Sequence, residues 1–84
     1  MFFGTECSHC HAMEPVVERL ESELGIRIER LEIWHNDQNA ELMEQYDSGF
    51  CGGVPFFYSE ETREKICGEA PYDRLKAWAE GKAS

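Results

Sequence analysis

Hydrophobic residues recur at two different spacings in the first part of this 84-residue chain. Over residues 7–24 they follow the three-to-four-residue spacing of an amphipathic helix, and Gly25 is suited to end that helix in a left-handed conformation. Pro15 lies inside the helix, where it removes one backbone hydrogen bond and is expected to kink the axis. Over residues 26–34 apolar and charged residues alternate. This alternation predicts a strand after the helix.

The remaining chain divides into short elements separated by glycine-rich or polar segments. Residues 1–4 are predicted to form a first strand, before the helix over 7–24. After residue 34 the pattern predicts a helix over about 39–46, strands over 54–59 and 63–67, and a helix over about 71–80. Residues 82–84 are expected to fray. The order βαβαββα predicts one α/β domain over residues 1–84, with a central four-stranded mixed sheet and helices on both faces.

Two of the four cysteines, Cys7 and Cys10, form a Cys-Ser-His-Cys motif at the predicted strand-to-helix junction. This spacing brings two sulfurs within bonding distance and leaves the first at the helix N-terminus, where free backbone amides favour a thiolate. His9 is expected to favour the Cys7 thiolate as well, whereas the negative charge of Glu6 opposes it. We expect His9 to dominate because it shares the helix end with Cys7. The motif predicts a redox-active dithiol.

Two other interpretations of the dithiol are an inert buried pair and half of a zinc site. Zinc ligands would come from Cys7, His9, Cys10, His11 and Cys51. The sequence contains no second Cys-x-x-Cys and no His-x3-His, and neighbouring ligands at positions 9–11 do not easily converge on one metal. The redox interpretation is therefore favoured, and we expect no metal site.

The other two cysteines stand alone in the sequence. Cys51 lies four residues before Pro55 and is expected on the dithiol side, either as an additional redox thiol or as a loop residue without a role. Cys67 is expected to pack in the core, because free cysteine is among the most buried residue types. A bond between Cys51 and Cys67 stays open at this stage. The aromatic residues, among them Trp34 and Trp78, are expected in the core and on the sheet faces.

Composition narrows the classes of function. The formal net charge of −9 disfavours nucleic acid and anionic membranes as partners. No apolar run approaches the roughly 20 residues of a membrane span, and no signal peptide is recognisable. Because two cysteines share one motif and two stand alone, a redox motif in a reducing compartment is favoured over a disulfide scaffold. We expect a cytoplasmic protein, or one of an organelle stroma or matrix if a targeting segment has been removed.

The whole chain resembles the thioredoxin superfamily in its minimal, glutaredoxin-sized form. The residues that carry the resemblance are Cys7-Ser8-His9-Cys10, Pro15, Gly53-Val54-Pro55-Phe56-Phe57 and Gly68. By this resemblance Cys7 is the attacking thiol and Cys10 the resolving one. Pro55 is a cis-proline facing the dithiol, and Val54 offers its backbone to an extended substrate, with Ala70 on the same apolar rim.

The resemblance implies a monomeric thiol-disulfide oxidoreductase that acts on protein disulfides and needs no bound cofactor. Its electrons would come from glutathione or a disulfide reductase. The chain departs from the family in having Glu6 where an aromatic residue is usual, and in lacking the buried acid that assists the resolving thiol. Glu32 could replace that acid, although an exposed position at the strand edge is favoured for it. The alternative is a non-catalytic binding or assembly module whose dithiol is structural or binds a metal.

Overall fold

A computed structural model describes residues 1–81 of the chain. This part contains four strands and three helices in the order that the hydrophobic pattern predicts. Their bounds are β1 Phe2–Phe3, α1 Ser8–Leu24, β2 Leu31–Glu32, α2 Asp37–Asp47, β3 Phe56–Tyr58, β4 Lys65–Cys67 and α3 Tyr72–Ala79. The prediction of an α/β fold is confirmed, and the predicted frayed tail at residues 82–84 lies outside the described residues.

The strands form one mixed sheet in the order β2-β1-β3-β4. β1 is parallel to β2 and antiparallel to β3, and β3 is antiparallel to β4. The end of β1, the start of β3 and the end of β4 therefore meet at one edge of the sheet. This layout is compatible with the arrangement that the resemblance implies.

Two hydrophobic clusters lie on opposite faces of the sheet. The larger one joins α1 and α3 to the sheet through Val17, Leu20, Phe57, Leu75 and other buried residues. The smaller one packs α2 against the other face, with Phe56 at its centre. Consecutive residues of β3 thus point to opposite faces, as the period of two in a strand requires. Within residues 1–81, no helix is long and apolar enough to span a bilayer.

The predicted strand over residues 26–34 is wrong over most of its length. Only Leu31 and Glu32 form strand β2, because β1 supplies just Phe2 and Phe3 as its neighbours. Residues 26–28 instead contact the end of α1, where the amide of Ile26 donates to the Glu21 carbonyl at 3.2 Å and the amide of Ile28 donates to the Glu21 carboxylate at 2.8 Å. The alternating pattern therefore covers a segment of which only the last part pairs with β1.

Trp34 also departs from expectation, since half of its surface, 50%, is exposed. It follows β2 at the dithiol edge of the sheet, and its ring lies flat against Gly4, where a Cβ atom would come within 2.2 Å of Trp34 Cδ2. Trp78, by contrast, is buried and stacks edge-on against Phe57 at 5.6 Å.

Candidate dithiol site

The two cysteines of the motif lie where β1 turns into α1. The turn is closed by Gly4, whose carbonyl accepts from the Cys7 amide at 3.0 Å. Cys7 is the N-cap of α1, with extended backbone angles, and its Sγ accepts from the Cys10 amide at 3.2 Å. A sulfur thus takes the place of the side-chain oxygen that usually caps a helix. The Cys7 sulfur therefore contacts a backbone amide of the first helical turn, as its predicted position at the helix N-terminus requires.

Cys10 lies one turn into the helix, directly behind Cys7. Its thiol donates to Cys7 Sγ at 2.6 Å. Cys10 is 2% exposed and Cys7 is 5% exposed, and both are free thiols. Burial raises the pKa of the Cys10 thiol to about 12, and the hydrogen bond to the Cys7 sulfur adds to this shift. The two sulfurs are therefore chemically different, although their residues are identical.

The segment before β3 approaches the dithiol from the neighbouring strand. The Val54–Pro55 peptide bond is cis, which is the isomer that the resemblance implied. The Val54 carbonyl oxygen lies 3.8 Å from Cys7 Sγ. The Pro55 carbonyl accepts from the Gly68 amide at 2.8 Å, so the end of β4 holds this segment in place. Cys7, Cys10, Val54 and Pro55 are thus brought together as predicted.

His9 has a different partner from the one that its position suggested. Its Nδ1 lies 2.6 Å from a carboxylate oxygen of Glu69, and 70% of its side chain is exposed. Glu69 follows β4, so the sheet order, not the motif, brings the pair together. The influence of His9 on the Cys7 thiol stays a prediction, and the imidazole is engaged by the Glu69 carboxylate.

A second histidine–carboxylate pair lies on the rim of the site. His35 Nε2 is 2.7 Å from Glu6 Oε1, and this hydrogen bond raises the pKa of His35. The sequence suggested only a polar loop residue at His35. Glu6 therefore has an imidazole partner beside the dithiol. When His35 is protonated, its positive charge would offset the negative charge of the Glu6 carboxylate.

Glu32 does not lie behind the resolving thiol. Its carboxylate accepts from the backbone amides of Thr5, Trp34 and His35 and from the Thr5 hydroxyl. These donors lower the pKa of Glu32, although burial acts in the opposite direction. The group organises the loops at the ends of β1 and β2, and this role explains its position at the strand edge.

Glu14, one helical turn after Cys10, is the carboxylate whose charge acts on the Cys10 thiol. Its charge raises the pKa of the Cys10 thiol. Glu14 accepts from Arg30 Nε at 2.9 Å, and Glu21 accepts from the other guanidinium nitrogens at 3.0 Å. These two glutamates of α1 are therefore not simply solvated, because Arg30 folds back over the helix. Arg30 directly precedes β2, and an arginine at that place is the one sequence signal for the cluster.

The five ligands of the zinc alternative are not assembled in the structure. His9 contacts Glu69, and His11 Nε2 lies 2.7 Å from the Thr5 carbonyl. Cys51 is bonded to Cys67. Within residues 1–81 the potential ligand atoms that do lie close together belong to Glu6, Glu32 and His35, and they are largely occupied by hydrogen bonds to one another and to the backbone.

Cys51 and Cys67 form a disulfide between the loop after α2 and the end of β4. The prediction that Cys67 packs in the core is wrong, because its side chain lies exposed at the sheet edge. Cys51 is half-buried, and the buried Asp47 carboxylate accepts from its amide at 2.6 Å and from the Gly52 amide at 2.7 Å. Residue spacing alone contains no distance from which this bond could have been predicted.

Comparison with known proteins gave no match. No protein-family model, no curated protein and no solved structure matches this chain. The functional argument is therefore built on the geometry of the dithiol and on the groups that surround it.

Proposed function

We propose that this protein is a thiol-disulfide oxidoreductase of the thioredoxin superfamily that exchanges protein disulfides through Cys7 and Cys10. The observation that carries the proposal is the asymmetry of the two sulfurs. Cys7 Sγ caps a helix and faces a neighbouring carbonyl, whereas Cys10 is held behind it as a neutral thiol at 2.6 Å. Exchange chemistry needs one thiol that attacks and a second that resolves.

In the proposed reaction, the Cys7 thiolate attacks one sulfur of a substrate disulfide. A Cys7–substrate bond forms, the substrate disulfide breaks, and the leaving sulfur takes the electron pair and then a proton. Cys10 loses its proton and attacks Cys7 Sγ, which releases the second substrate sulfur and leaves a Cys7–Cys10 disulfide. Two electrons pass from the dithiol to the substrate, and the reverse sequence oxidises a substrate dithiol.

The resolving step requires that the Cys10 pKa fall after the first attack. Part of its elevation comes from Cys7, through the hydrogen bond and through the charge of a Cys7 thiolate. Both effects are removed once Cys7 is in a mixed disulfide. Glu14 is the carboxylate placed to influence the proton of Cys10, although its ion pair with Arg30 already engages one of its oxygens. Cys10 is thus protected until Cys7 has reacted.

Substrate binding is proposed for the edge formed by Val54 and Pro55. The Val54 carbonyl faces Cys7, so an extended chain that donates an amide there would bring its own sulfur to Cys7. Around this edge lie Glu6 and Glu69, each paired with a histidine. Carboxylates at the rim disfavour glutathione-adduct chemistry, which needs cationic groups for the glutathione carboxylates, and they favour polypeptide substrates.

The source of electrons and the compartment remain predictions. Glutathione or a disulfide reductase would regenerate the dithiol, and the protein would act as a monomer without a bound cofactor. The Cys51–Cys67 bond removes one argument for a reducing compartment, since that argument rested on unpaired cysteines. The absence of nucleic acid and membrane partners is likewise inferred from the net charge of −9.

The test is turnover of a synthetic peptide disulfide that carries a fluorophore and a quencher, with glutathione as reductant. Cys7→Ser is expected to abolish turnover, whereas Ser8→Ala, an exposed neighbour on the same helical turn, should retain it. Cys10→Ser should accumulate a mixed disulfide between Cys7 and the peptide, visible by mass spectrometry. Turnover by Cys7→Ser at the rate of the unsubstituted protein would contradict the proposal.

One observation favours the alternative of a non-catalytic binding module. Both sulfurs are almost fully buried, and buried cysteines of structural sites are commonly inert. A binding module would show no turnover, and Cys7→Ser would leave its capture of a polypeptide partner unchanged. The same variants therefore separate the two functions.

A further inference from the structure

The second cysteine pair lies at the same edge of the sheet as the dithiol. Phe56 pairs with Phe2 on one side and with Cys67 on the other. The end of β1, which leads to Cys7, and the end of β4, which carries Cys67, are therefore separated by the start of β3 alone. The Cys51–Cys67 bond crosses this edge on the face that α2 covers.

The two residues of the bond differ in their exposure to solvent. Cys67 is exposed, whereas Cys51 is half-buried beside α2. Attack by a small thiolate is therefore expected at the Cys67 sulfur, with Cys51 as the leaving group. Exposed disulfides of this kind are the more readily reduced ones in proteins.

The loop that carries Cys51 is also held by contacts that do not depend on the bond. The Asp47 carboxylate, which is 4% exposed, binds the amides of Cys51 and Gly52. Lys65 Nζ donates to the Asp47 carbonyl at 3.3 Å and so ties the end of α2 to β4. Reduction would thus release a covalent link while leaving the helix and the sheet connected.

The segment that carries Cys51 leads directly to the proposed substrate edge. Gly52 and Gly53 are the only residues between Cys51 and Val54, and Gly52 has a φ of 70°. The next fixed point after Val54 is the Pro55 carbonyl, bound by the Gly68 amide. The position of the Val54 carbonyl relative to Cys7 therefore depends on where Cys51 is anchored.

We propose that Cys51–Cys67 is a second redox couple, reduced by low-molecular-weight thiols independently of Cys7–Cys10, and that its state sets the position of the Val54 substrate edge. A glutathione thiolate attacks Cys67 Sγ, forming a Cys67–glutathione bond and leaving Cys51 with the electron pair and a proton. A second glutathione thiolate attacks the glutathione sulfur of that mixed disulfide. Glutathione disulfide leaves, and Cys67 becomes a thiol.

The test uses a Cys7→Ser/Cys10→Ser variant, in which Cys51 and Cys67 are the remaining cysteines. It is equilibrated with mixtures of reduced and oxidised glutathione and then alkylated, and the mass of the intact protein is measured by mass spectrometry. We expect conversion from no alkyl groups to two as the proportion of reduced glutathione rises. Amide NMR spectra of the two forms should retain the same fold, with changes concentrated at residues 48–55 and 66–69.

Two results would overturn the inference. One is a bond that persists in excess reduced glutathione without denaturant, and the other is unfolding of the chain on reduction, which would make the bond purely structural. A Cys51→Ser/Cys67→Ser variant imitates the reduced state with the dithiol intact. It should raise KM for the peptide disulfide several-fold and leave kcat nearly unchanged, and an unchanged KM would refute the effect on Val54.

The effect on KM rests on the proposed function, whereas the redox couple itself does not. If the unsubstituted protein turns over no peptide disulfide, the proposed function fails while the glutathione titration still decides whether Cys51 and Cys67 exchange electrons. If turnover occurs and the titration shows no reduction, only the second couple fails.

Discussion

The strongest quantitative expectation concerns the reactivity of Cys10. In Cys7→Ser with the Cys51–Cys67 bond intact, Cys10 is the one free thiol of the chain. A thiol with a pKa of about 12 is ionised in about one molecule in 10⁴ at pH 8, compared with about one in ten at the ordinary value of 9.0. Because only the thiolate is alkylated at a useful rate, the full shift corresponds to a reaction about 10³-fold slower.

Part of that shift comes from Cys7 and is lost in the variant, so we expect iodoacetamide to react about 10²-fold to 10³-fold more slowly than with the same variant in urea. Burial slows the reaction sterically as well, and the dependence on pH separates the two causes. A raised pKa predicts a rate that climbs about tenfold per pH unit beyond pH 9. A plateau near pH 9, or a rate within tenfold of the unfolded chain, would refute the assignment of Cys10 as a protected neutral thiol.

Two further predictions concern stability. Contact with its arginine partner lowers the pKa of Glu21 to about 2, so this carboxylate stabilises the fold above its ordinary pKa of 4.5 and loses that effect as the pH falls towards 2. The shift sets an upper limit of about 3 kcal/mol on this stabilisation, and the effect is smaller because water reaches the cluster. In urea unfolding we therefore expect Glu21→Gln to lower the free energy of unfolding by about 1–2 kcal/mol at pH 7 and by little at pH 2. The exposed Glu18→Gln is the control and should change it by less than about 0.5 kcal/mol, and equal losses for both variants would contradict this prediction. Gly4→Ala places a Cβ atom 2.2 Å from the Trp34 ring, so it should lower the free energy of unfolding by about 1–3 kcal/mol and change the tryptophan fluorescence. Gly53→Ala is the control, because its Cβ atom meets nothing within 4 Å and neither property should change. Unchanged fluorescence in Gly4→Ala would show that the contact is absent.

Much of the fold could be predicted because its elements follow local rules. The helical spacing over residues 7–24 matches α1, and Gly25 ends it with a φ of 65°. The helix predicted over 39–46 extends from Asp37 to Asp47, because Asn36 caps it through the Asn39 amide at 3.0 Å. The observed start of α2 therefore differs from the predicted one because a polar side chain outside the hydrophobic pattern caps the helix.

The charge pairs of the site could not be predicted in the same way. His9 and Glu69 are separated by 60 residues, and His35 and Glu6 by 29. No spacing rule relates residues at such distances, and each histidine read alone is an ordinary polar residue. The same limit applies to Cys51 and Cys67, which lie in different elements and become neighbours only when β4 pairs with β3. Sequence could name these residues but not their partners.

The dithiol site combines features that follow from local sequence with one that follows from the order of strands in the sheet. The difference between Cys7 and Cys10 is local, since a residue at the N-cap and a residue one turn inside the helix meet different amides and different burial. The proposed roles of attacking thiol for Cys7 and resolving thiol for Cys10 agree with this local difference. The third part, the Val54 carbonyl at 3.8 Å from Cys7 Sγ, depends on antiparallel pairing of Phe2 with Phe56. The segment that precedes β3 can face the start of α1 only because β1 and β3 are adjacent, so the proposed substrate edge depends on sheet order and not on spacing.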